Sequence, residues 1–241
     1  MMNHTGKQLA SAIAAILATP SLVMAQGFYA TAQLGSSQQA NDSTPYGNNI
    51  ASDADFPGSF DAGNGIVGGV GIGYQFSKQL RVEGRIGHHE SDFDDRKVGT
   101  GSRAGEEYIL NGDIKSTTLT VEVFYDFPNA SQFTPYVKAG VGVSDNRYSA
   151  RLGGAGVAAF DPFDGVTDGY YDNYKNGDNT EFTWNVGVGG SYALTKQASI
   201  YGEYQYASFG DVSTGQDAFT DGFKIDDAAS HEVALGVRVN F

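Results

Sequence analysis

His88, His89 and Glu90 stand in a row, and two imidazoles beside a carboxylate can hold a metal ion or trade protons near neutral pH. In an extended chain, however, successive side chains point to opposite faces. Only His89 therefore shares a face with Arg81, Glu83 and Arg85, and no second histidine accompanies it. Ordinary polarity at the end of a strand is the expectation for this run. In Ser230-His231-Glu232 the imidazole falls on the face of Val233, which is the apolar one. The stretch from Asp161 to Asp178 is acidic but lacks the ordered Asp ladder and closing Glu of a calcium loop. Gly69, Gly71 and Gly73 are followed by no helix or βαβ unit, which removes a nucleotide-binding reading. No catalytic residue, cofactor site or metal site is assigned from the sequence, and the protein is expected not to be an enzyme.

What remains is a set of charges at alternate positions. Arg81, Glu83 and Arg85 alternate with Leu80, Val82, Gly84 and Ile86. Glu122 lies on the face opposite Leu119, Val121, Val123 and Tyr125. Lys138 opposes Val137, Ala139, Val141 and Val143, and Arg238 opposes Val237, Val239 and Phe241. With Glu203 these form four cations against three carboxylates on one face, enough for a network of paired charges. Gly69, Gly71 and Gly73 fall on the same face, where they leave room for long side chains.

Eight segments with period-two alternation position these residues: 27–36, 64–76, 80–93, 114–127, 134–148, 180–194, 198–209 and 229–241. Each has about the length that a tilted membrane strand needs. The connections at 77–79, 128–133 and 195–197 are short, whereas those at 37–63, 94–113, 149–179 and 210–228 are long and rich in Gly and Asp. Ahead of them lies Lys7, then an apolar stretch from Leu9 to Ala18, then Val23-Met24-Ala25 before Gln26. That is the layout of a secretory signal peptide, expected to be cleaved after Ala25. Residues 26–241 then form one domain. No later stretch is apolar for long enough to span a bilayer as a helix, and cysteine is absent, so a core or a closed sheet must supply stability without disulfides. The 33 Gly, 14 Tyr and 15 Phe favour strands over helices.

Alternation alone leaves two architectures open: a soluble sandwich with its apolar face inside, or a membrane barrel with that face outside. The strand ends favour the barrel. Tyr74, Phe76, Tyr125, Phe127, Tyr192 and Phe241 all meet the short-turn side on the apolar face, as a girdle at a membrane interface would. The expected fold is all-β, a closed eight-stranded antiparallel transmembrane β-barrel with short periplasmic turns and long extracellular loops. The net charge of −13 divides as −4, −2, −3 and −4 among the four long connections. Such an acidic crown argues against nucleic acid or anionic ligands as partners and is compatible with divalent cations or basic partner surfaces, solubility and self-repulsion of the loops being the plainer reading.

Two runs in the last third carry a resemblance. Gly187-Val188-Gly189-Gly190-Ser191-Tyr192-Ala193-Leu194-Thr195 leads into Tyr201-Gly202-Glu203-Tyr204-Gln205-Tyr206, and the chain closes on Gly236-Val237-Arg238-Val239-Asn240-Phe241. This region resembles the outer-membrane β-barrel family that includes opacity-type surface antigens and small porin-like proteins of Gram-negative bacteria. The resemblance implies a cell outer-membrane location among lipid and lipopolysaccharide. It also implies that Phe241 is read by the barrel-assembly machinery. Some barrels of this size hydrolyse lipid A with a His-x-Ser pair on a late strand, an order from which Ser230-His231 departs. The expected function is that of a surface antigen, or a structural or adhesive component of the envelope, meeting host or environmental ligands through its loops. A small porin-like channel is the first alternative, and a lipid A-modifying enzyme a remote one.

Overall fold

The computed structural model describes residues 27–46, 54–158, 161–162, 164–215 and 222–241. The expected signal peptide lies outside them. Among these residues ten strands occur: β1 Phe28–Gln39, β2 Thr44–Pro45, β3 Asn64–Gln75, β4 Leu80–Val98, β5 Glu107–Asp126, β6 Phe133–Gly153, β7 Asp172–Asn173, β8 Gly177–Ala193, β9 Ala198–Ser213 and β10 Phe223–Asn240. The two-residue strands β2 and β7 are loop segments laid against β10 and β6. The other eight pair antiparallel in chain order, and β10 closes on β1.

Register fixes the shape of the ring. The row of hydrogen-bonded partners from Tyr29 passes through Gly73, Glu83, Glu122, Gly140, Asn185, Ala207 and Ser230. It returns to β1 at Gln39, ten residues beyond its start. With a rise of about 3.3 Å per residue and strands about 4.8 Å apart, that stagger tilts the strands by about 40°. Eight strands at this tilt enclose a space that side chains fill.

Burial decides between the two architectures. Leu235 is 73% exposed and Ile72 69%, whereas Glu83 is fully buried and Glu122 nearly so. An apolar surface this continuous is not left in water by a soluble protein. It faces lipid, and the alternating charges face the lumen. Along β5 and the residue that follows it the apolar belt runs from Leu119 to Phe127, roughly 20 Å of height at that tilt, close to the ~25 Å band of such barrels. Its lower edge is aromatic: Phe28 meets Tyr74 edge-on at 4.9 Å between centroids, Tyr74 meets Phe76 at 4.8 Å, and Tyr125 meets Phe127 at 5.1 Å. The Phe241 amide donates to the Phe28 carbonyl at 2.9 Å, at the seam where the ring closes.

The strands reach further outward than the sequence pattern suggests. β4 runs on to Val98 and β5 starts at Glu107, so most of the expected loop 94–113 is hairpin. The reason is an inversion of the two faces. Below the inversion β5 sets Leu119 and Val121 outward and Thr120 and Glu122 inward. Above it Asp113 and Asn111 point outward, and Ile114, Leu110 and Tyr108 are buried. β4 changes over in step, with Phe93 inward between Asp92 and Asp94. Once the wall leaves hydrocarbon for water, ordinary burial rules return, and the barrel continues as a soluble one.

Candidate functional site

The lumen contains two polar layers and an apolar cap. In the first layer Arg85 is the hub. Its guanidinium lies 2.8 Å from Glu83, 3.5 Å from Glu122 and 3.1 Å from Glu203. Lys138 Nζ sits 3.2 Å from Glu122 and 3.0 Å from Glu203. Neutral donors add to these pairs: Thr31 Oγ1 to Glu83 Oε1 at 2.8 Å, Asn185 Nδ2 to Glu122 at 3.1 Å and the Tyr136 hydroxyl to Glu203 at 2.9 Å, while Glu83 Oε2 receives no hydrogen bond. Gly71 makes this possible, since a Cβ there would fall 2.2 Å from Glu83 Oε1.

Arg81 lies nearer the periplasmic end and pairs with Asp126 at 3.1 Å, with Glu83 more distant at 3.9 Å. Its guanidinium stacks 3.6 Å above the Phe124 ring, a cation–π arrangement on an inward aromatic. Asp126 is the carboxylate missing from the sequence count. It follows Glu122 and Phe124 at the same parity, so alternation carried to the last residue of the strand finds it. Arg238 stands apart from the network. Among the described residues no carboxylate lies within ion-pair distance of it, its Nε finds no acceptor, and its guanidinium sits 5.7 Å from the centre of the Tyr29 ring. The register aligns Arg238 with Thr31 and Ser199, and Asp126, the carboxylate at that end of the barrel, is engaged by Arg81.

The second layer holds His89, whose Nδ1 is 2.7 Å from Glu232 Oε1. Ser230 Oγ donates to the same carboxylate oxygen at 2.6 Å, and the Gln205 amide donates to the other. The carboxylate thus lies between the hydroxyl and the imidazole, whereas an activated serine needs the imidazole in the middle. All three side chains are buried. His231 points the other way, its Nδ1 2.7 Å from the Tyr204 hydroxyl on the lipid side, with Tyr206 edge-on at 5.2 Å. His88 also faces outward, 3.2 Å from Thr117 Oγ1.

Above these layers the barrel mouth is packed with apolar side chains. Phe93, Leu110, Ile114, Tyr148 and Leu152 from the wall meet Phe56 and Phe60 from the first extracellular connection, Tyr174 from the third, and Phe223 and Ile225 at the start of β10. Aromatic contacts stitch the connections together: Phe60 to Phe223 at 5.8 Å, Tyr174 to Phe223 at 5.4 Å and Phe56 to Tyr108 at 4.7 Å. The Asp55 carboxylate accepts from the Ser102 amide and hydroxyl at 2.9 and 2.7 Å, and Tyr46 N–H donates to the Gly222 carbonyl at 2.9 Å. In the third connection the Val166 amide donates to Asp164 at 2.9 Å and the Asn173 side chain at 2.7 Å. The Val166 bond holds the Asp164 carboxyl below the usual range, against the opposing effect of burial and with a further contribution from Asn173. Sequence reasoning missed this cap. Its signal was the change of face at Phe93 and Ile114.

Known proteins share this architecture. The outer membrane protein beta-barrel domain family matches residues 9–241. Outer membrane protein PagN of Salmonella typhimurium is 29% identical over 188 residues, 72% of each chain. Among solved structures, Neisserial surface protein A superposes with a TM-score of 0.51 at 21% identity, over 89% of this chain and 97% of the other. The outer membrane protein OprG of Pseudomonas aeruginosa also gives 0.51, at 17% identity over 90% and 98%. A family match along nearly the whole length, on a ring of eight antiparallel strands with its apolar face turned out, means that this chain belongs to the outer membrane β-barrel family and resides in the bacterial outer membrane.

Proposed function

We propose that the protein is a closed surface barrel that strengthens the envelope and displays its extracellular connections as an antigen or adhesin, without conducting solutes. The observation that carries this reading is the filled lumen. Cavities within it are small, about 20 Å³ beside Asn185 and Gln205 and about 10 Å³ beside Arg81 and Glu203, each with room for about one water molecule. Ion pairs above and below them and the aromatic cap leave no continuous path among the described residues. The inward glycines that favour a narrow pore are taken up by neighbours: Glu83 fills the space at Gly71 and the Tyr29 ring that at Gly73. Asp92, Asp94, Asp178 and Asp211 on the exposed wall above the membrane favour basic partner surfaces.

Planar bilayers test the closed state directly. Folded protein is expected to give no steps above baseline, and uniform ohmic steps would replace this reading with the small-channel one. Adhesion is read on whole cells, by comparing bacteria that display the intact barrel with bacteria whose connections are trimmed above Val98 and Gly153. Loss of binding to a cationic surface on trimming is the expected result. Lipid A incubated with the folded protein is expected to keep all its acyl chains, since the inward cluster of Ser230, Glu232 and His89 has the wrong order and is buried in the lumen.

A further inference from the structure

Between the two polar layers of the lumen lies the cavity of about 20 Å³, and the groups around it are unbalanced both in hydrogen bonding and in charge. We propose that it binds one dehydrated monovalent metal cation, sodium or potassium, enclosed as the barrel closes. The enclosure rests on the closed lumen argued above, whereas the binding does not. Asn185 and Gln205 line the cavity and are 5% and 6% exposed. Asn185 Nδ2 donates to Glu122 at 3.1 Å, and Gln205 Nε2 donates to Glu232. A carboxylate accepts and does not donate, so each amide can stand only this way round, and its oxygen is the end left for the cavity. Neither Asn185 Oδ1 nor Gln205 Oε1 receives a hydrogen bond. Buried acceptors without donors are costly, and here two of them belong to one wall, to which Thr118 and Thr120 add hydroxyl oxygens.

Charge is the second imbalance. On the periplasmic side of the cavity Glu83, Glu122 and Glu203 share two close cations, Arg85 and Lys138. Arg81 is 3.9 Å from Glu83 and is engaged at 3.1 Å by Asp126. On the extracellular side Glu232 is held by the neutral donors Ser230 and Gln205 and by His89. From Arg238 up to Glu232 the polar lumen holds one carboxylate more than it holds cations while His89 is neutral. Arg238 is the cation furthest from the cavity, at the periplasmic end, so the shortage is greatest where the two amide oxygens lie. Arg85 also lines the cavity, but its nitrogens are engaged elsewhere: Nε by Glu83 at 2.9 Å, Nη1 by Gln33 and by Glu203 at 3.1 Å, and Nη2 by Glu83 at 2.8 Å.

A water molecule would satisfy the amide oxygens and leave the charge as it is. A cation answers both, because carbonyl and hydroxyl oxygens replace the hydration shell of a monovalent ion and a buried carboxylate in excess is costly until a positive charge joins it. Calcium takes about six to eight oxygens and magnesium keeps several waters, and a space for about one water molecule admits neither arrangement. The ion pairs below and the aromatic cap above leave the cation no exit from the closed barrel.

The test unfolds the barrel in zwitterionic lipid vesicles while potassium or sodium chloride is raised against choline chloride at constant ionic strength. Choline is too large for a space of about one water molecule. The medium is kept at pH 8, above the ordinary imidazole value of about 6.5, because a proton on His89 is the other way to supply the missing charge. An ion bound by the folded barrel alone lowers the unfolding constant about tenfold for each tenfold rise in its concentration above the dissociation constant. That slope is expected in the parent. A slope near zero is expected in E122Q, which takes one carboxylate from the wall, and in Q205L, which takes one amide oxygen, each shown to be folded by heat-modifiable migration. A parent slope of zero, with water only in the cavity, overturns the site, and so does an equal slope in the folded variants, which assigns the cations to the acidic exterior. Thallium in place of potassium serves where the variants do not fold: crystals of the parent should give an anomalous peak between Asn185 and Gln205, and no peak there overturns the site. Elemental analysis after transfer to choline chloride should count about one monovalent ion per barrel. Calcium or magnesium in its place overturns the assignment, and a slope without retention leaves the site standing and overturns the closed lumen.

Discussion

Replacing Lys138 by methionine keeps most of the bulk of the side chain and deletes its charge. The ammonium is fully buried, 3.2 Å from Glu122 and 3.0 Å from Glu203. At an effective dielectric of about 20, each contact represents about 5 kcal/mol of attraction. Losing both is offset in part, because the variant no longer holds an ammonium away from water, which returns several kcal/mol. Arg85 is then left alone with Glu83, Glu122 and Glu203. The expected net loss is about 3–5 kcal/mol, or roughly two to three and a half orders of magnitude in the unfolding equilibrium. Urea unfolding of the barrel in lipid vesicles measures it, followed by the fluorescence of Trp184, which is the only tryptophan and faces lipid. K138M/E203Q supplies the internal control, since removing one carboxylate with the ammonium restores the balance of charge and should recover more than half of the loss. A K138M barrel within about 0.5 kcal/mol of the parent, or a double variant less stable than the single one, would refute the reasoning.

The same unfolding assay reads two further substitutions. Gly71→Ala pushes a methyl group to 2.2 Å from Glu83 Oε1 and should cost about 1–3 kcal/mol, while Gly68→Ala on the lipid face should cost less than about 0.5 kcal/mol. Asp126→Asn takes the close carboxylate from Arg81 but leaves Glu83 and the Phe124 ring, so about 1.5–3 kcal/mol is expected. Removing Phe241 deletes one hydrogen bond at the seam; refolding in detergent should be unaffected while the yield of assembled barrel in cells falls, and an unchanged yield would end the role of this residue as an assembly signal. Asp164 has its folded pKa lowered by the Val166 amide. Its contribution to the third connection is therefore complete above the ordinary carboxylate value of about 4 and disappears as pH falls through the lower folded value. Amide exchange at Val166 and Asn173 should stay slow at about pH 5 and quicken only below about pH 4.

Alternation is readable where a strand separates two unlike media, and this determines what the sequence revealed. Leu80 to Ile86 and Glu122 to Tyr125 lie between hydrocarbon and a polar lumen, so their period assigns each residue to a face. The assignment of Arg81, Glu83, Arg85, Glu122, Lys138 and Glu203 to a single lumen rests on that period alone. Which carboxylate meets which cation depends on the ten-residue stagger between strands far apart in sequence, and no local pattern encodes it. Arg238 shows the consequence: its parity is that of the network, and the stagger leaves it outside ion-pair distance of every described carboxylate. From Phe93 and Ile114 outward the period persists with its faces exchanged. A reading that follows one apolar face meets Asp92, Asp94 and Asp113 there and ends the strand too soon. The contacts of Phe60, Tyr174 and Phe223 in the cap follow no period, because they are made by connections folding back over the mouth.

The inversion also accounts for the use of ion pairs in the lumen, where apolar packing would give more stability for the same volume. In the belt the outward residues have to be apolar. An apolar lumen would turn each strand there into a continuous hydrophobic run, and successive runs joined by turns as short as 77–79 would approach the length that is held in a membrane as a helix. Polar residues at every second position prevent this, so the unfolded chain can pass the inner membrane and stay soluble until the sheet closes. Above the belt the outward face is polar already, and the lumen is free to be apolar. That is where Phe60, Phe93, Tyr148 and Phe223 are found. On this argument, replacing the buried charges together by apolar residues of equal volume would give a barrel that is no less stable once refolded in vesicles but is poorly exported. Equal export of such a variant, measured as the fraction of chains reaching the outer membrane, would mean that the charges are kept for another reason.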